Sequence, residues 1–209
     1  MQKSKLRMRV VALLLLVVLA GISIGRPVPL RAQDELRYER FDVAIDVAED
    51  GAFTVTAEQT VHFDDAYSTA FAEIPTDRAT AIRDIQVFQR DDETSAMMPL
   101  LFTVSDDGAA QYVEWAYDEV QAGDERTFIL QYTVEGGLWV YDDRDILRWF
   151  AVNADRSGLP VENATVTVTL PEAAAGGVTA EVISGNGVSR VEANRAVFVN
   201  HGTLIEGIL

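Results

Sequence analysis

Asp142, Asp143 and Asp145 crowd three carboxylates around Arg144. Clustered carboxylates are what a hard cation such as Ca²⁺ takes as ligands. The spacing lacks the Asp-x-Asp-x-Asp-Gly loop and its distal Glu, so these three are weak calcium candidates, and a solvated turn explains them as simply. Asp64-Asp65 beside His62 is a second, weaker group, with His62 on the polar face of a strand. Two histidines, His62 and His201, leave little for zinc or for imidazole catalysis. The chain has no cysteine, which excludes disulfides and thiol chemistry. It has no Gly-x-Ser-x-Gly elbow for a serine nucleophile. With 33 acidic residues, pairs at glycosidase spacing arise by chance and carry no information. Gly185-Asn186-Gly187 lacks a third glycine and a following helix, so it reads as a turn and not a phosphate loop. Asn163-Ala164-Thr165 fits a glycosylation sequon at the start of a strand and reads as incidental. Trp115, Trp139 and Trp149, with Tyr112, Tyr117, Tyr132 and Tyr141, are the aromatics of a possible carbohydrate face, although rings on strands more often form core and cross-strand pairs. No catalytic or cofactor-binding residue is expected from these patterns.

Positioning any of these groups falls to β-strands. The stretch that organises the chain is Arg37 to Phe63. Phe41, Val43, Ile45 and Val47 alternate with Asp42, Ala44, Asp46 and Ala48, a period of two that gives one apolar face. Past Asp50-Gly51, Phe53, Val55, Ala57, Val61 and Phe63 share a face, while Thr54, Thr56, Glu58, Thr60 and His62 share the other. A two-residue loop at Asp50-Gly51 would set Val47 against Thr54 and mix the faces. A three-residue loop, Glu49-Asp50-Gly51 with Gly51 left-handed, sets Val47 opposite Phe53 and Ile45 opposite Val55, so parity predicts the latter. A lone hairpin is marginal in water, and its apolar face requires a second sheet.

Further strands follow at short spacing. Ile82 to Phe88, Gln111 to Tyr117, Thr127 to Val134 and Val161 to Leu170 carry the alternation. Asp106-Asp107-Gly108 and Gln121 to Glu125 read as turns, and Leu138 to Tyr141 and Ile146 to Val152 flank the acidic turn. No segment beyond the leader has a helical period, and Glu172 to Gly177 reads as a linker or short turn rather than a helix. The expected fold is therefore all-β: an antiparallel β-sandwich of Ig-like or Greek-key type, preceded by a hydrophobic N-terminal signal helix. Three regions are expected: a signal peptide or signal anchor over 1–33, the sandwich over 34–171, and a further β-hairpin segment over 172–209. The apolar ending Ile208-Leu209 suggests a truncated chain.

Lys3, Lys5, Arg7 and Arg9 precede Val10 to Gly25, which carries no charge, the pattern of a secretion signal. That run falls short of the roughly 20 residues that cross a bilayer comfortably. Beyond residue 33 there is no lysine, and 11 arginines face 33 acids, a net charge of −22. Such a surface repels nucleic acid and anionic headgroups, and it suits a solvated exported domain or cationic partners.

Several segments together resemble the domain-of-unknown-function 2207 family of predicted membrane proteins. They are the leader, Asp50-Gly51 followed by Glu58, Ile74-Pro75, Tyr132-Thr133-Val134, Asp145 to Trp149, and Pro160-Val161-Glu162-Asn163 running to Leu170-Pro171. The resemblance covers about residues 10 to 205. It implies an extracytoplasmic β domain followed by transmembrane helices and a low-complexity tail, and it brings no established activity. The chain departs from the family pattern in three ways: it has no later span, it has Ala72-Glu73 where Arg often precedes Ile-Pro, and it lacks a second Trp near Asn153 to Pro160. The expectation is a non-enzymatic exported domain, without cofactor, that binds or assembles at the extracytoplasmic face of the membrane or is secreted. Its partner would be a protein or envelope component and not nucleic acid. Membrane contact would come through the N-terminal segment or a missing C-terminal span. The alternative expectation is a secreted glycan-binding or calcium-dependent adhesion module.

Overall fold

The computed structural model describes residues 36–91, 93–152, 159–182 and 187–204. The expected N-terminal signal segment, 1–33, lies outside the described residues. The strands are β1 Arg37–Val47, β2 Phe53–His62, β3 Tyr67–Pro75, β4 Ala81–Arg90, β5 Met97–Pro99, β6 Phe102–Asp106, β7 Ala110–Val120, β8 Glu125–Glu135, β9 Leu138–Val140, β10 Asp145–Leu147, β11 Val161–Thr169, β12 Val188–Glu192 and β13 Arg195–Leu204. A 3₁₀ turn, Glu172–Ala174, is the helical element among the described residues. None of their helices is long and apolar enough to cross a membrane.

The β1–β2 hairpin follows parity. Val47 faces Phe53, Ile45 faces Val55 and Val43 faces Ala57. The loop is Glu49-Asp50-Gly51: Ala48 N–H donates to Ala52 O at 2.8 Å, and Gly51 sits at φ +82°. Asp50 Oδ1 accepts from Ala52 N–H at 3.0 Å and fixes the turn. Phe41, Val43, Ile45, Phe53, Val55 and Ala57 are buried, as the alternation predicts.

Around this hairpin an eight-stranded sheet runs in the order β12-β13-β11-β1-β2-β8-β4-β5. A three-stranded sheet has the order β3-β7-β6, and β9 and β10 form a separate ribbon. The large sheet is mixed, which corrects the antiparallel expectation: β1 and β11 pair in parallel, from Tyr38 opposite Val161 to Asp46 opposite Thr169. The reason lies in the chain's path. β8 ends beside Phe53, at the turn end of the hairpin. β11 begins beside Tyr38, at the other end. The chain must therefore cross the length of the sheet over residues 136–160, a crossover long enough for a parallel pair. It begins at Gly136, φ +71°, where a Cβ would lie 2.1 Å from Thr80 Oγ1. A Cβ on Gly137 would lie 2.7 Å from the Phe53 ring. The crossover buries Trp149 and Val152. Trp149 stacks edge-on to Phe53, with centroids 5.3 Å apart, and its indole N–H donates to the Tyr132 hydroxyl at 3.2 Å.

The small sheet turns Val113, Trp115, Tyr117 and Val120 of β7 inward. There Trp115 and Tyr117 meet Phe128 of β8, with centroids 5.7 and 4.9 Å apart. The outer face of the large sheet is polar, with Thr60 and Thr127 hydroxyls 3.0 Å apart and Arg90 paired to Glu58. After the 3₁₀ turn, β12 and β13 join the same large sheet through β11, so the segment past residue 172 continues it.

Candidate functional site

Stacked sheets stand about 10 Å apart. Where short side chains face each other across that gap, space remains. Ala57 and Gln59 of β2 and Leu130 of β8 form one wall of such a space; Ala70 and Ala72 of β3 and Trp115 of β7 form the other. The Phe128 contacts with Trp115 and Tyr117 hold the sheets apart beside it. Phe150, Ala151 and Leu159, from the crossover, also line it. The cavity has a volume of about 320 Å³, at the lower end of ligand-binding pockets.

Its walls are mostly apolar, and the exceptions are specific. Gln59 occupies an inward position of β2 and is only 5% exposed. Its carboxamide carries two donors and an acceptor among hydrocarbon neighbours, the kind of sparse polar group that orients a bound molecule. Tyr117 donates its hydroxyl hydrogen bond to Thr69 O at 3.3 Å. Burial, and next the nearby Tyr67, push its phenol up to about 12. Burial also pushes the Tyr132 phenol well above its ordinary value, against the opposing effect of the Trp149 indole N–H.

These phenols set an alkaline limit on the fold. Below the ordinary value of 10.0 both folded and unfolded chains hold them neutral, and stability is unaffected. Above it the unfolded chain ionises them while the folded chain does not, so stability falls as pH rises from 10 toward 12. Tyr132 alone gives a slope of about 1.4 kcal/mol per pH unit; Tyr117, less enclosed, adds less. A phenolate absorbance titration run alongside circular dichroism is expected to show these two groups ionising only with unfolding. Complete ionisation in a still-folded chain would contradict this.

The sequence candidates for metal lie elsewhere. Asp142 and Asp143 are exposed in the turn between β9 and β10, and Asp145 is exposed at the first position of β10. Arg144 lies 3.4 Å from Asp143 and over the Tyr141 ring at 5.9 Å. Asp64 accepts the hydroxyl of Tyr67, at the start of β3, at 3.0 Å, and Asp65 accepts Ala66 N–H of its own loop at 2.8 Å. Neither set is among the groups of three or more ligating side chains whose donor atoms converge in the described residues. Of the aromatics, Trp115, Trp149, Tyr117 and Tyr132 are core, while Trp139 and Tyr141 are 42% and 49% exposed on and just after β9. The cavity was not readable from sequence, because its alanines lie on strands far apart in the chain. Gln59, a polar residue on an apolar face, was the one local sign of it.

No curated protein matches the chain. Among solved structures it is similar to an M1 zinc metallopeptidase from Deinococcus radiodurans, at 15% identity and TM-score 0.46, covering 82% of this chain and 39% of that one. It is also similar to native leukotriene A4 hydrolase from Saccharomyces cerevisiae, at 10% identity and TM-score 0.46, covering 81% of this chain and 27% of that one. The chain thus spans well under half the length of either enzyme. The family model described as the N-terminal domain of a predicted membrane protein, DUF2207, matches residues 37–204. That match takes in β1 through β13, and the chain belongs to this family of predicted membrane proteins.

Proposed function

We propose that the chain is a non-enzymatic binding domain on the extracytoplasmic side of the membrane, and that it holds an uncharged apolar molecule or acyl chain between its two sheets. The observation that carries this reading is the cavity of about 320 Å³ with Gln59 as a lone amide in its wall. The strongly acidic part beyond residue 33, which has no lysine, disfavours anionic ligands and supports a neutral one. The basic leader and its apolar run support export. The Trp115 and Tyr117 contacts to Phe128 across the sheets support reading the domain as a sandwich. Trp115 and Trp149 are committed to the core, so a flat aromatic platform for sugar is the weaker reading.

The test uses N-phenyl-1-naphthylamine, a neutral apolar fluorophore, titrated into the purified chain. Saturable one-to-one binding that quenches tryptophan emission is expected. Ala57→Phe, which fills the cavity from β2, should weaken binding about tenfold or more, about 1.4 kcal/mol, while the chain still melts cooperatively. Ala72→Phe fills it from the opposite wall and should do the same. Absence of saturable binding to the unaltered chain, or full binding by both folded variants, would refute the reading.

A further inference from the structure

At the end of the large sheet remote from the hairpin loop, three strands bring Glu39, His62 and Glu125 together. Their ligating atoms lie within 4.8 Å of one another. His62 Nδ1 is 3.6 Å from Glu125 Oε1 and 3.9 Å from Glu39 Oε1. A Zn²⁺ ion bound tetrahedrally at about 2.0–2.2 Å holds its donors roughly 3.4 Å apart, so His62 must close on each carboxylate by a few tenths of an ångström and the two glutamates, whose atoms lie within 4.8 Å, by a side-chain rotation of about 1 Å.

Two features show that this grouping is more than a pair of surface acids. The His62 side chain is 12% exposed, and neither ring nitrogen, both fully buried, makes a hydrogen bond. Burying a polar atom without a partner is costly, and a metal bond would remove that cost at one nitrogen. The second feature is the backbone. Arg37 pairs with His62 and Tyr38 with Val61, but the next pair is Arg40 with Thr60. Glu39 is the extra residue of a β-bulge. In unbroken alternation with Arg40 outward it would point inward, and the bulge instead brings its carboxylate to His62. Arg37 donates to Glu39 Oε1 at 2.9 Å and pairs with Glu162 at 2.9 Å, which orients Glu39 as an outer-shell partner does. With His62 neutral, Glu39, Glu125 and Glu162 against Arg37 leave two negative charges, which a divalent cation balances.

We propose that Glu39, His62 and Glu125 form a binding site for a divalent transition-metal ion of the Zn²⁺ type, which clips β1, β2 and β8 together and leaves a fourth position for water. The imidazole nitrogen selects this class over Ca²⁺ and Mg²⁺, which take oxygen ligands. The competing account is an imidazolium held between two carboxylates with no metal.

The test titrates the metal-free purified chain with Zn²⁺ by calorimetry and with Co²⁺ by visible absorption. One equivalent of Zn²⁺ bound, a raised melting temperature and the absorption bands of tetrahedral Co²⁺ are expected. His62→Gln should lose at least about tenfold in Zn²⁺ affinity. So should Glu125→Gln, whose exposed position leaves folding intact, whereas Asp143→Asn should change nothing. No stoichiometric uptake by the unaltered chain would overturn the proposal, as would undiminished uptake by a folded Glu125→Gln variant.

Discussion

Phe53→Ala is expected to lower the unfolding free energy by about 3–5 kcal/mol, the range for deleting a buried ring. Phe53 is 1% exposed. Its ring meets Trp149 edge-on at 5.3 Å and lies so close to Gly137 that no Cβ fits between them. It therefore joins the first hairpin to the crossover that carries the chain from β8 to β11. Removing it leaves a void that Trp149 cannot fill, because the indole N–H is tied to Tyr132 at 3.2 Å. A T-shaped aromatic pair adds about 0.5–1.5 kcal/mol beyond area burial, and that is lost too. Since a domain of ordinary stability has only about 5–15 kcal/mol in hand, the variant should unfold at a much lower urea midpoint with an unchanged slope. Phe71→Ala is the comparison: that ring is 55% exposed on β3 and its loss should move stability by no more than about 0.5 kcal/mol. A Phe53→Ala loss below about 1 kcal/mol would mean that the crossover does not depend on this ring.

What could be read from the sequence follows a physical division. Period-two alternation is a local property, so it placed Phe41, Val43, Ile45, Phe53 and Val55 inward and chose the three-residue loop by parity. The direction of β11 is not local. Its clean alternation of Val166 and Val168 with Thr165, Thr167 and Thr169 fits a parallel or an antiparallel neighbour equally well. Only the crossover, which ends at the far side of the hairpin, decides it. The Glu39–His62–Glu125 grouping was hidden for two reasons. Alternation counted back from Phe41 puts Glu39 on the core side, and the bulge that reverses it leaves no mark in composition. Glu125 arrives only through the β2–β8 register, 63 positions along the chain from His62. The aspartates at 142, 143 and 145 were conspicuous because they are adjacent, but adjacency on an exposed turn spreads carboxylates into water. Convergence of ligands came instead from neighbours across strands.

Ending the chain at residue 171, after β11, is expected to abolish a soluble monomeric fold, because β13 is an inner strand of the large sheet. It pairs with β11 from Thr169 opposite Arg195 to Val161 opposite Leu204. It buries Ala196 and Asn200 at 4% and 2% exposure and packs Phe198 against the core. Asn194 locks the junction: its backbone O accepts from Leu170 N–H at 2.9 Å, and its side-chain amide donates to Leu170 O at 2.6 Å. In the intact sheet the edge strand on this side is β12, exposed along its length, with Arg190 and Glu192 paired at 3.0 Å along it. Charge on an edge strand discourages pairing with another molecule. Truncation would replace it with β11, whose residues 163–169, Asn-Ala-Thr-Val-Thr-Val-Thr, are uncharged and carry high β-propensity. Loss of the buried side chains should lower the melting temperature by about 10 °C or more, at about 2–4 °C per kcal/mol for a chain of this size. The bare edge should then drive association, visible as concentration-dependent sedimentation and thioflavin binding. Placing a lysine at Thr167 of the truncated chain, on the polar side of β11, should reduce the association without restoring the melting temperature, because charge protects the edge but replaces none of the packing from Ala196 and Phe198. A truncated chain that sediments as a monomer and melts cooperatively within a few degrees of the intact one would show that β12 and β13 are an appendage rather than part of the folding unit.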